Sequence, residues 1–136
     1  VELNVDSSDY WFVYAEIQKK LGFIDEARIA YDKVVELDPQ NTFVISEYAE
    51  MLFKNEYFQD SIDVLTQGIK THPDKAEFYY RLSAYFLKAG HELDASEMLQ
   101  CALNIDYENH DQLFTYFPNS KHSEMVLELI ESYKDS

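Results

Sequence analysis

The chain has 136 residues, one domain's worth, and 46% of them are hydrophobic, enough to bury a packed core. With three glycines, three prolines and no low-complexity run, it offers little linker, and no stretch approaches the roughly 18 consecutive apolar residues that would cross a bilayer. Against 11 basic residues stand 26 acidic ones, a net charge of −15 that repels phosphate backbones and anionic headgroups and sets nucleic acid and membranes aside as partners.

The opening VELNVD returns as VELDPQ, so that Val1, Glu2 and Leu3 match Val35, Glu36 and Leu37. On that match residues 1–7 are expected to be the end of a truncated preceding repeat, and the chain a fragment. The next stretch, WFVYAEIQKKLG, sets Trp11, Tyr14, Ala15 and Gln18 at i, i+3, i+4 and i+7, the inward stripe of a helix. Gly22 suits the left-handed residue that ends such a helix. EARIAYDKVVELDPQ then reads as a second helix, in which Ala27, Tyr31 and Val34 alternate small and large so that neighbouring helices interlock, and Pro39 stops it.

Pro39 and Pro73 stand 34 positions apart (73 − 39), and the pattern repeats at that spacing. In the second unit Ile45, Tyr48, Ala49 and Leu52 form the first stripe and Ser61, Leu65 and Gly68 the second. Glu56 stands where the glycine was, so Asn55 is expected to supply the tolerant backbone. The third unit carries Tyr79, Leu82, Ser83 and Phe86, then Gly90, then Ala95, Leu99 and Ala102, with Asp74 and Glu77 spaced as a capping box. HDQLFTYFP begins like a fourth first helix, but Pro118 forbids its continuation after two turns. In KHSEMVLELIESYKDS, Val126, Leu129, Ile130 and Tyr133 share one face, as expected of a capping helix.

A 34-residue helical hairpin with an aromatic or apolar residue, a small residue four positions on, a central glycine, a small residue opening the second helix, an aromatic and a closing proline resembles the tetratricopeptide repeat. The first unit fits best, with Trp11, Ala15, Gly22, Ala27, Tyr31 and Pro39 in register; the second departs at Glu56, Ser61 and Gly68, the third at Tyr107. The resemblance implies an all-α, right-handed alpha-alpha superhelix, a solenoid of three hairpins over 8–41, 42–75 and 76–109, followed by an incomplete repeat and C-terminal capping helix over 110–136.

Little in the residues points to chemistry. His72, His91, His110 and His122 lie in no HExxH or CxxC arrangement, and one cysteine cannot make a zinc set, so neither metal nor cofactor is expected. No GxSxG, P-loop or GxGxxG occurs. Cys101, beside Ala102 and Leu103, reads as a small buried core thiol rather than a nucleophile, and as a lone cysteine it fits a reducing, cytoplasmic location. Trp11 reads as a packing residue rather than a ligand platform. The chain is expected not to be an enzyme.

Function is then expected from the surface. The resemblance implies that the first helices line a concave groove for a peptide or a partner's helix. Here that face carries Phe12, Val13 and Glu16, then Phe43, Ser46, Glu47 and Glu50, then Glu77, Tyr80, Arg81 and Ala84. One branch of the family grips acidic chaperone tails with five Lys, Asn and Arg side chains; Phe12, Glu16, Glu47, Glu77 and Arg81 stand in those places, and only the last fits. The alternation of aromatic and carboxylate suits a basic or apolar protein segment instead. Lys20, Lys54 and Lys88 recur at the repeat spacing, either as a ridge along the groove or as cations favoured by the C-terminal ends of their helices. Two alternatives stand beside a binding module: a structural element that self-associates through the truncated N-terminal end, and a regulatory domain of a larger enzyme.

Overall fold

The computed structural model describes residues 7–135, which form eight α-helices and one 3₁₀ segment and, among the described residues, no strand. The VELNVD match falls on residues 1–6, outside the described residues. The helices are α1 (Ser8–Leu21), α2 (Ile24–Leu37), α3 (Thr42–Lys54), α4 (Phe58–Thr71), α5 (Ala76–Ala89), α6 (Glu92–Ile105), α7 (Gln112–Tyr116) and α8 (Glu124–Tyr133), with the 3₁₀ segment at Pro118–His122. Two compact units divide the chain between Val64 and Leu65, inside α4.

In the first unit, local chemistry fixes the helix ends. The Ser7 hydroxyl accepts the Tyr10 amide at 3.2 Å and the Asn41 side chain accepts the Val44 amide at 3.2 Å, each satisfying an amide that the first turn leaves free. Gly22 ends α1 at φ 84°, its amide bonding to the Lys19 carbonyl and that of Phe23 to the Gln18 carbonyl. One period on, it is Glu56 and not Asn55 that takes the left-handed conformation, at φ 67°. The bonding pattern explains this: the Glu56 amide reaches Phe53 and the Tyr57 amide reaches Leu52, the same closure in the same register. Asn55 keeps φ −98° and uses its side-chain amide to donate to the Met51 carbonyl.

The core of this unit is made where α1, α2 and α3 meet. Ala15, Ala27 and Ala30 are fully buried, and that close approach lets Tyr31 stack on Tyr48 with ring centroids 5.2 Å apart. Val34, Val44, Met51 and Leu52 fill the rest.

In the second unit, Phe78, Tyr80, Leu82, Leu99, Leu113 and Val126 are all 1% exposed or less. Gly90 closes α5 at φ 83°. The expected Asp74–Glu77 capping box is not formed: α5 starts at Ala76 with Lys75 at the cap position, and Glu77 bonds to Arg81 instead. The Ser83 hydroxyl donates to the Ala95 carbonyl at 2.8 Å, fastening α5 to α6 where both are small. After α7, which lies against α5, Pro118 opens the 3₁₀ segment and the chain returns as α8 against α6. The Ser123 hydroxyl caps α8 and Val126 is buried beneath it, the packing expected of a covering helix.

Candidate functional site

The expected groove residues do not share one fate. In the first unit Phe12, Glu16, Phe43 and Glu47 come together on a surface shared by α1 and α3. The Phe12 and Phe43 rings lie 6.0 Å apart, and Phe43 is 61% exposed, an aromatic anchor left open to solvent. Beside them Lys19, a residue the repeat spacing does not single out, is the organising cation. Its Nζ donates to Glu16 and to Glu47, each at 3.0 Å, and lies 6.0 Å above the Tyr31 ring. Tyr31 in turn donates its hydroxyl to the same Glu16 oxygen.

This cluster explains its own electrostatics. Partial burial works against the Lys19 charge, but the bonds to Glu47 and Glu16 outweigh it and hold the ammonium above its ordinary pKa. Burial and the adjacent Glu16 carboxylate push the Tyr31 hydroxyl up. Nearby, burial and a 2.8 Å bond to Asp32 push Tyr48 up in the same way. Two of the carboxylates expected to attract a ligand are therefore already bonded to one shared cation from within, which leaves the cluster with a single net negative charge. Glu50 pairs with Lys54 at 2.7 Å on the exposed side of α3. Lys20 is exposed.

In the second unit the expectation fails at Tyr80, which is fully buried because its hydroxyl donates to the Asp106 carbonyl at 2.7 Å and holds the end of α6. Ala84 is buried too, as Ser46 is in α3. Arg81 is no open ligand contact either. Its side chain is 12% exposed, donates to Glu77 at 2.9 Å and lies 4.2 Å from the centroid of the Tyr116 ring, which α7 brings over it. Lys88 is exposed at the end of α5.

Two hollows in the second unit, about 460 and 400 Å³, are wide and polar; the larger of them is lined by Asp74, Glu77, Asp106, Asn109 and Gln112 among others. Among the described residues no group of three metal-ligating side chains converges, and no helix is long and apolar enough to cross a membrane. Cys101 is half-buried rather than buried, since it lies on the flank of α6 beside the fully buried Ala102. Trp11 packs against the core of the first unit as expected, although its Nε1 is buried with no hydrogen-bond partner.

Hairpins in this register define a tetratricopeptide-like repeat protein, a fold that generally serves as a scaffold for protein interaction. Within that class the chain belongs to the family described as pre-mRNA-splicing factor Syf1/CRNKL1 C-terminal HAT repeat, which matches residues 4–77, more than half of it. Among curated relatives it is 35% identical over 63 residues to the pre-mRNA-splicing factor cwf3 of Schizosaccharomyces pombe, a match covering 46% of this chain and 8% of that protein. The fold is similar to the crystal structure of MamA, with a TM-score of 0.66 at 20% identity over 94% of this chain and 73% of the other. It is similar also to the TPR2B domain of yeast Sti1 in its pHsp70 complex, with a TM-score of 0.60 at 16% identity over 94% and 96%.

Proposed function

We propose that the chain is a non-catalytic protein-interaction module whose first unit takes a partner segment on the surface shared by α1 and α3. The observation that carries this reading is the exposed Phe43 ring set beside Phe12 at the edge of the Lys19-bridged carboxylates. An aromatic pair open to solvent offers apolar area for an anchor side chain, while the net charge of −15 favours a segment carrying Lys or Arg. Because Lys19 already occupies Glu16 and Glu47, affinity comes from the rings and the charge sets approach and selectivity.

The splicing kinship supports work as a scaffold segment of a pre-mRNA-splicing assembly, and a nuclear place rather than the cytoplasmic one expected from composition. In such an assembly an acidic surface serves contacts to protein rather than to RNA.

The test is fluorescence anisotropy with labelled peptides that combine an apolar anchor with Lys or Arg, against acidic peptides of the same length. The basic peptides should bind, more weakly as salt rises, and lose affinity with Phe43→Ala. Binding that is unchanged by Phe43→Ala, or that prefers the acidic set, removes this surface as the site.

A further inference from the structure

Two facing pairs run along the surface that α1 and α3 share. The Phe12 and Phe43 rings lie 6.0 Å apart, and one helical turn further on Glu16 and Glu47 are joined through the Lys19 ammonium, 3.0 Å from each. Both pairs keep the same offset in sequence, 31 positions (43 − 12 and 47 − 16). Four residues of helix set the carboxylates about 6 Å beyond the rings. The two carboxylates are not held alike. Glu16 accepts from the Tyr31 hydroxyl as well as from Lys19, and Tyr31 is fully buried, so Glu16 is fixed from beneath; its bond to Lys19 is also local, three residues along one helix. The bond from Lys19 to Glu47 instead spans two helices. Two carboxylates thus share one ammonium, which leaves one negative charge unanswered among side chains that are 27%, 27% and 26% exposed.

We infer, resting on the surface proposed above, that Lys19 is the residue that sets its selectivity: it bridges Glu16 and Glu47 in the free chain, and on binding it keeps Glu16 and yields Glu47 to an arginine of the partner segment. A partner lysine gains nothing over Lys19, which carries the same ammonium and is tethered beside Glu47 at high effective concentration. A guanidinium offers two parallel N–H groups to one carboxylate, a bond that an ammonium cannot match. With Lys19 on Glu16 and the arginine on Glu47, two cations answer two carboxylates and the shielded cluster becomes neutral. The spacing specifies the segment further. In an extended chain alternate residues point the same way and lie about 6.6 Å apart, close to the step from the rings to the carboxylates, so a single residue separates the apolar anchor from the arginine.

Fluorescence anisotropy decides the matter, with a labelled peptide of that spacing and the same peptide carrying lysine in place of arginine. Each is titrated with the wild type and with Lys19→Met, Lys19→Arg and Lys33→Met, all shown to be folded by their dichroic melts. Lys33, exposed on α2, controls for the loss of one positive charge. The wild type should prefer the arginine peptide by about fivefold. Lys19→Met should tighten the lysine peptide by about fivefold or more, beyond any gain from Lys33→Met, and narrow the gap between the peptides. Lys19→Arg conserves the charge but grips Glu47 with the better group, and should weaken the arginine peptide by about threefold or more. A Lys19 that only supports the fold would weaken binding in both variants, and that result overturns the inference, as does a gain no larger than that from Lys33→Met. If Phe43→Ala abolishes binding while both Lys19 variants behave as the wild type, the surface stands and Lys19 has no part in its selectivity. Binding that Phe43→Ala leaves unchanged removes the surface itself, and the role of Lys19 with it.

Discussion

Lys19 of α1 and Glu47 of α3 are 28 residues apart in sequence and 3.0 Å apart in space, and they close a contact that the Lys19–Glu16 bond reinforces. All three side chains are about three-quarters shielded from solvent. Removing the cation leaves two close carboxylates without their shared partner. Lys19→Met should therefore destabilise the first unit by roughly 1–2 kcal/mol, and Lys20→Met by less than about 0.5, in urea or thermal melts.

The same cluster predicts the response to alkali. Tyr31, Tyr48 and Lys19 all have folded pKa values raised above their ordinary ones. A raised folded pKa means the folded state holds its protons longer, so the stabilisation is whole below the unfolded value near 10 and is lost as pH rises through the folded value. Melting temperature should stay level between about pH 7 and 9 and fall above about pH 10. Tyr31→Phe with Tyr48→Phe should make the alkaline fall shallower; a slope identical to the wild type would mean that other groups govern it.

Glu56 bears a side chain where the first and third hairpins have glycine, at φ 67°. Left-handed backbone costs a side-chain-bearing residue about 1–2 kcal/mol, and glycine gives back about 0.5–1 through its freer unfolded chain. Glu56→Gly should thus stabilise by roughly 0.5–1 kcal/mol, read as a rise in denaturant midpoint at constant slope.

Val126 is the most deeply buried residue of α8, at 0% exposure. Burying a carboxylate there without a partner should cost more than about 3 kcal/mol, so Val126→Asp should release α8 from α6. Truncation after Pro118 removes α8, should expose the side of α6 that it covers, and should aggregate in light scattering. A truncated protein that stays monomeric with an unchanged melt would show that α8 covers nothing the fold needs.

Phe43, at 61% exposure, contributes little to the core. Phe43→Ala should move stability by less than about 0.5 kcal/mol while weakening a bound apolar–basic peptide by about tenfold or more. Parallel loss of stability and binding would place Phe43 in the fold rather than at a site.

The period made most of this architecture legible, because packing repeats when the helices do. Ala15, Ala27, Tyr31, Ala95 and Ala102 are all buried where the register puts them, and Gly22 and Gly90 take the left-handed turn. At position 56 residue preference favours Asn55, whereas the closing hydrogen bonds of the hairpin fix which residue turns, whatever its side chain. The surface was less legible. Whether Tyr80 faces solvent depends on Asp106, 26 residues away, and whether Arg81 is available depends on Tyr116. Repeat spacing draws attention to Lys20 and is silent on Lys19, because a cation bonds to the carboxylates it can reach, and Glu47 is within reach only once α3 lies against α1.

The protein's one tryptophan lies in α1, edge-on to Tyr10 at 5.3 Å and to Tyr14 at 6.0 Å. This gives the first hairpin an optical signature of its own. Light absorbed by the two neighbouring tyrosines passes to the indole, so emission follows the packing of α1, while the far-ultraviolet dichroic signal averages every helix. A difference between the two midpoints in denaturant would reveal that the first hairpin opens as a separate cooperative step.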